Sequence, residues 1–318
     1  MCILFQEITT LPSRILKEIT FDVYVLSDKT KEITYITSIS VGVDKYIVEK
    51  LCGEDAIITK IKRIYAWELR KFVNGQNAVL VDMYKCFVRF FDDGLLIPSL
   101  VSQVLYVDKP IDDVIKIDKN NLKRVRKYSY EISNDHRDLE FFYEKMYVPY
   151  AKRRYADSAQ IESFCNIEKI FKNGMLVFVT FDGQRIAASL DQMIGDTYFL
   201  RKGGIIDDDF IKKGVAIASY YFSILRAKEV NAKIVDFGKS RPFLLDGVLR
   251  HKNHWGTKIC EDSNIKRFIY LKNVIFEQPF IYFEDNKLKA AIFSDTDNLI
   301  KEYAGSGLEF VIINEEKG

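Results

Sequence analysis

Residues 175–238 limit the fold of this chain more tightly than any other stretch. The run MLVFVTF (175–181) leads through Asp182-Gly183 into RIAASL (185–190), and Gly195-Asp196 then precedes TYFLR (197–201). Asp-Gly and similar pairs supply the positive φ that hairpin turns need, so the pattern predicts three antiparallel strands. Residues 210–230 read as a helix, because Ile217, Tyr221, Ile224 and Ala227 recur on one face. The run KIVDFG (233–238) reads as a further strand. Antiparallel strands, then helix, strand and helix, specify an α+β domain and exclude a doubly wound one.

The rest of the chain supports a large globular protein. Of its 318 residues, 48% are hydrophobic and 29% charged, which supplies a core and excludes collagen-like, disordered and disulfide-stapled classes. The length exceeds the usual single core, so one large or two modest domains are expected. The polar stretch at 118–121 offers the boundary, giving domains 1–118 and 119–318. In the first, 21–26 and 56–60 read as strands and 65–72 as a helix closed by Asn74-Gly75. In the second, a helix is expected to begin at Asp138, with Leu139, Phe142, Met146 and Tyr150 on its apolar face and Lys152, Arg153 and Arg154 in its last turn. A net charge of +2 gives no chain-wide field for nucleic acid or anionic lipid. Cys2, Cys52, Cys86, Cys165 and Cys260 are scattered, without a Cys-x-x-Cys pair, which fits a reducing compartment. The start MCILFQEITTLPSRILKEIT does not have the form of a signal peptide, and the apolar region 86–107 is interrupted by Arg89, Asp92, Asp93 and Pro98. No membrane span and a cytoplasmic location are therefore expected.

Unusual residues are densest in DFGKSRPFLLDGVLRHKNHWG (236–256). Gly238 is expected to end the strand, with Lys239, Ser240 and Arg241 in a loop. Pro242 would precede or open a helix carrying Asp246, Arg250, Lys252 and Trp255. Loops leaving strand C-termini are where such scaffolds place ligands.

This run resembles the closing signature of FemAB-like proteins within the GNAT superfamily. The segment NLKRVRKYSYEISNDHRDLEFFYEKMYVPYAKRRY (121–155) is similar to the basic segment and helix that open their second acyltransferase-like half. The resemblance covers about residues 119–260. It implies a GNAT-like fold, a mixed central sheet flanked by helices, with residues 1–118 as a diverged copy in tandem. The implied activity is transfer of an acyl or aminoacyl group from acyl-CoA or aminoacyl-tRNA to a primary amine. The amine would belong to a small molecule or peptide, such as an amino sugar or cell-envelope precursor. The donor is implied to lie where a strand splays from its neighbour, opposite the start of the long helix. There IKKGVA (211–216) offers Lys213, Gly214 and Ala216, with helix N–H groups available to a pyrophosphate. Ile211 replaces the Gln or Arg that coenzyme-A-dependent members carry, so the choice between CoA and tRNA stays open. Close packing at a helix start is the competing account of Gly214 and Ala216.

The resemblance also aligns Lys252, four residues before Gly256, with a lysine of the FemAB-like group that would stabilise a tetrahedral oxyanion or the leaving group. An exposed helix lysine paired with an acid is the plainer alternative. Asp236 or Asp246 would take a proton from the amine. Asp246 equally suits a cap or turn, and Asp236 an ion pair with Arg241 or Arg250. Lys239, Ser240, Arg241 and Arg250 are candidates for holding a phosphate or carboxylate, against simple surface solvation. His251 and His254 are three apart without a carboxylate at ligand spacing, and His136 is isolated, so no metal is expected. Trp255 reads as packing. Lys119, Lys123, Arg124, Arg126 and Lys127 form a basic stretch that would meet tRNA or a nucleotide-linked acceptor, or stand as a solvated helix face. With a sequence pI near 8.1, a small acyl carrier is favoured over tRNA. No residue stands out as an activated nucleophile, so direct attack in a ternary complex is expected. The rival reading is a non-catalytic GNAT-fold module that recognises a nucleotide sugar or a partner protein. The sequence leaves the oligomeric state open.

Overall fold

The computed structural model describes residues 13–27, 32–53, 55–91, 93–108, 111, 115, 119–156, 159, 161–261, 266–274, 276, 278–293 and 297–312. The chain forms two compact units, both discontinuous in sequence. One comprises Met1–Val101, Ser240–Arg250 and Glu261–Gly318, the other Ser102–Lys239 and His251–Cys260. A single cut near residue 118 does not describe this arrangement, because strands from the last third of the chain complete the first unit's sheet.

That first unit holds β1 (Thr20–Ser27), β2 (Glu32–Ser38), β3 (Ile57–Tyr65), β4 (Val79–Tyr84), β5 (Leu95–Pro98), β13 (Arg267–Lys272), β14 (Phe280–Glu284), β15 (Lys287–Ile292) and β16 (Glu309–Ile312). They lie in the order β16-β15-β14-β5-β13-β4-β2-β1-β3. Side chains alternate along β1, so Phe21 and Val23 join one core while Tyr24 and Leu26 join the other, and the sheet is covered on both faces.

The second unit holds β6 (Val101–Tyr106), β7 (Ser129–Ser133), β8 (Gly174–Phe181), β9 (Gln184–Ile194), β10 (Thr197–Ile205), β11 (Ile234–Ser240) and β12 (Lys258–Cys260), in the order β12-β6-β11-β10-β9-β8-β7. Strands β7 to β10 run antiparallel. The hairpin turns take the predicted positive φ at Asp182, Gly183 and Gly195. Helix Val215–Glu229 then crosses over to β11, which lies parallel to β10. This is the α+β, GNAT-like order that the resemblance implies. In β8, Val177 and Val179 face the core containing Ala218 and Phe222 of that helix. Leu176 and Phe178 face the opposite core, with Leu139, Phe142 and Ile167.

Four local expectations change. The helix expected over 210–230 is two, Asp208–Lys212 and Val215–Glu229, because Gly214 takes φ +93 between them. The helix expected to begin at Asp138 begins at His136, where Asp135 accepts the Arg137 N–H at 2.8 Å, and it passes into a π-helical stretch Phe142–Tyr147. Strand β11 runs past Gly238 to Ser240, so Lys239 and Ser240 lie in the strand. The following helix is Gly247–Asn253, which leaves Asp246 before it and Trp255 after it. Among the described residues, no helix is long and apolar enough to cross a membrane.

Candidate functional site

The parallel ladder between β10 and β11 is short. It consists of Thr197↔Ile234, Tyr198↔Val235 and Phe199↔Asp236, although β10 continues to Ile205 and β11 to Ser240. Local features on both strands end it. In β10 the register against β9 shifts between Leu200 and Lys202, inserting Arg201 as an extra residue, and such a bulge bends its strand. In β11, Asp236 Oδ1 accepts the Gly238 N–H at 2.6 Å, and Gly238 takes φ +74. The paired ladder between the two strands therefore ends at Phe199 and Asp236.

The 15-residue helix Val215–Glu229 starts from Gly214. Its first N–H groups have no acceptor within the helix and carry the positive end of its dipole. A Cβ on Gly214 would stand 3.4 Å from Arg124 Cδ. The basic stretch thus delivers a guanidinium stem to this turn, a pairing that sequence spacing did not reveal. Tyr128 OH donates to the Lys213 main-chain oxygen at 3.0 Å, and Lys213 Nζ lies 5.1 Å from the Phe210 ring centroid. Ile211 packs into the adjoining core. The turn therefore combines helix N–H groups with two nearby cations, which fits a phosphate, while the position of the usual Gln or Arg is apolar.

Lys252 is buried, 5% exposed, and its Nζ donates to the Lys239 main-chain oxygen at 2.9 Å. An exposed lysine paired with an acid does not describe it. The Lys252 carbonyl accepts from Thr257 Oγ1 at 3.1 Å, and Thr257 in turn accepts from Gln103 Nε2 at 3.1 Å. Trp255 packs in the core with Phe237 and Tyr220. His251 lies against Tyr220, and burial, reinforced by nearby cations, pushes it down to about 4. His136 is not isolated, since Nε2 lies 2.9 Å from Glu168 and Nδ1 lies 3.5 Å from Glu140.

Ser240, Arg241, Asp246 and Arg250 belong to the first unit. There Arg241 pairs with Asp44 at 2.6 Å and its guanidinium lies 4.9 Å from the Tyr46 ring centroid. Tyr46 OH donates to Asp246 Oδ2 at 3.1 Å, while Asp246 Oδ1 accepts the N–H groups of Val248 and Leu249 at 2.9 and 3.0 Å. Asp246 is thus engaged in capping its helix. Arg250 pairs with Glu302 through two hydrogen bonds of 2.8 and 3.0 Å. The arginines considered as partners for Asp236 therefore hold other carboxylates. Ser240 is buried.

Sequence reasoning missed two residues of this region, Gln192 and Arg201. Gln192 of β9 stands opposite Phe199, which stands opposite Asp236. Gln192, Phe199 and Asp236 therefore form a row across three strands on one face of the sheet. Arg201 joins it, donating from Nε and Nη2 to Gln192 Oε1 at 3.1 and 2.9 Å, with its guanidinium 4.2 Å from the Phe199 ring centroid. Pairing across three strands assembles Gln192, Phe199 and Asp236, and Arg201 follows Phe199 by two residues, at the bulge.

No protein-family model matches the chain, and no curated protein matches it. Among solved structures it is similar to FemX, at 15% identity and TM-score 0.43, covering 79% of this chain and 84% of that one. It is also similar to L-PGS from Bacillus licheniformis, at 9% identity and TM-score 0.38, covering 90% and 86%. A GCN5-related N-acetyltransferase from Sphaerobacter thermophilus matches at 12% identity and TM-score 0.36, covering 85% and 84%.

Proposed function

We propose that this chain is an N-acyltransferase, moving an acyl or aminoacyl group from an activated carrier to the primary amine of a small molecule or peptide. One observation carries the reading. The β10–β11 ladder stops after three pairs, in the unit where a long helix begins at a left-handed glycine beside Arg124. The FemAB-like run ending in Trp255-Gly256 adds support. Acyl-CoA fits the cations around Gly214, and aminoacyl-tRNA fits the apolar Ile211 in place of the usual polar residue.

The carrier supplies an activated carbonyl carbon and its leaving group. In this reading the N–H groups of Val215 and Ala216, with Lys213 and Arg124, hold the carrier's phosphates. Asp236 accepts the proton that the amine loses. Lys252 places positive charge where the carbonyl oxygen becomes negative, in a buried setting that strengthens electrostatic stabilisation. Lys239 lends the carbonyl that orients Lys252. Arg241 and Arg250 hold their carboxylates and shape the first unit.

The test is release of free CoA from acetyl-CoA, or of uncharged tRNA from aminoacyl-tRNA, against a panel of amines. Transfer is expected with one carrier. Arg124→Ala should raise the KM for that carrier at least fivefold, an effect that weakens with added salt, whereas Lys119→Ala should leave it within twofold. Absence of transfer from both carriers would sink the proposal. A second reading rests on the engagement of Lys252 with Lys239: a non-catalytic module that binds a nucleotide sugar or a protein. Calorimetric binding of a uridine diphosphate sugar without transfer would favour it.

A further inference from the structure

Arg201 stands at the bulge of β10 in the second unit's sheet. Its side chain is half-buried, and among the described residues no carboxylate lies within ion-pair distance of it. Its direct partner is the neutral Gln192 Oε1, which takes one proton from Nε and one from Nη2. A guanidinium carries five N–H donors in a fixed fork. The Nη1–Nη2 edge therefore keeps donors suited to a two-oxygen anion. Burial pulls Arg201 below its ordinary value, and the charge of Asp236 opposes this only in part. A half-buried cation is costly without a counter-charge, and Gln192 fixes this one while leaving its charge unneutralised.

Its place in the sheet indicates which ligand it meets. Leu190 and Ala188, two and four residues before Gln192 along β9, face the core opposite helix Val215–Glu229. The row of Gln192, Phe199, Asp236 and Arg201 is on that same side. Gly214 and the helix it opens are on the other. An incoming amine and a carrier held at Gly214 would approach the end of the β10–β11 ladder from opposite faces. On the row, a carboxylate (Asp236) and a guanidinium (Arg201) share one surface, which complements a molecule bearing an ammonium and an anion close together.

We propose that Arg201 is the anion anchor for the acceptor, so that the acceptor is an amine carrying a carboxylate or a phosphate near its amino group. This rests on the acyl-transfer reading above, since that reading supplies the amine. Arg201 grips the two anionic oxygens through its Nη1–Nη2 edge, and the ammonium end lies toward Asp236. Gln192 is a positioning residue that holds the fork without cancelling its charge.

The experiment measures calorimetric binding to the full chain, without acyl carrier, of three matched pairs: L-alanine and ethylamine, L-lysine and cadaverine, phosphoethanolamine and ethanolamine. In at least one pair the anionic member should bind tenfold tighter or more. The first two pairs test a carboxylate and the third a phosphate. Arg201→Gln should bring that preference within twofold. Gln192→Glu gives Arg201 a permanent partner and should weaken the anionic member at least tenfold, and it serves if Arg201→Gln does not fold. Equal binding within every pair, or an unchanged preference in either folded variant, overturns the anchor. The two proposals fail separately. Transfer to ethylamine as fast as to alanine, with the other pairs likewise equal, removes the anchor and leaves acyl transfer. Anion-selective binding that depends on Arg201, with no transfer from either carrier, keeps the anchor and removes acyl transfer.

Discussion

Lys252 Nζ sits 2.9 Å from the main-chain oxygen of Lys239, so an ammonium from the helix Gly247–Asn253 is pinned to the end of β11. The contact orients the lysine whether its role is catalytic or structural, and the two roles separate on substitution. Lys252→Met keeps most of the side chain's apolar volume and removes the charge. We expect its thermal midpoint to stay within a few degrees of wild type while kcat falls about a hundredfold or more at nearly constant KM. Unfolding curves and steady-state kinetics on one preparation check this. An unchanged kcat would make Lys252 a structural peg.

Adjacent glycines in β10 should behave oppositely. A Cβ on Gly204 would come 2.6 Å from the Tyr147 nitrogen and 2.7 Å from the Met146 carbonyl carbon, both backbone atoms of the π-helical stretch, whereas on Gly203 it meets only the Ala188 oxygen at 4.0 Å. Gly204→Ala is expected to cost about 2–3 kcal/mol through overpacking, and Gly203→Ala about 0.5 kcal/mol or less. Urea denaturation of both variants measures the difference. Similar values would mean that the π-helical stretch yields easily.

The pH dependence of stability should report on Asp191. This fully buried carboxyl accepts hydrogen bonds from Ser189 Oγ and, at 3.1 Å, from Tyr198 OH, and burial pushes its pKa up to about 6. The folded form therefore binds the proton more tightly than the unfolded form. The resulting stabilisation is fully present below about pH 4 and is lost as pH rises through 6, amounting to roughly 3 kcal/mol at about 1.4 kcal/mol per unit. Asp82, also pushed to about 6 by burial despite its ion pair with Arg267, contributes a slope of the same sign. Asp191→Asn should flatten the fall in stability between pH 4 and 6 by about half. Chemical denaturation across that range tests this, and an unaltered slope would place the titration elsewhere.

Much of the second unit was legible because its information is local. Asp182-Gly183 and Gly195-Asp196 announce their turns through backbone preference, and the apolar spacing of Ile217, Tyr221, Ile224 and Ala227 announces a helix. Gly214 was identified, but its φ of +93 and the break it makes in the helix were not, since a glycine is also tolerated within a helix at modest cost. Asp246 and Gly238 show the same limit. Each sits in a motif compatible with two conformations, and side-chain hydrogen bonds to nearby N–H groups decide between them.

The sequence by itself determined the order of strands β8 to β10, the helix after them and strand β11, and the composition of the 236–256 run, because these follow from periodicity and turn chemistry over a few residues. Tertiary structure alone decided that Arg124 reaches Gly214, that Arg241 and Arg250 hold Asp44 and Glu302, and that the closing strands return to the first unit's sheet. It also aligned Gln192, Phe199 and Asp236 in one row and brought Arg201 to it. The physical reason is register. Which residues of neighbouring strands stand opposite one another is set by pairing between strands far apart in sequence, which no local stretch of the chain encodes.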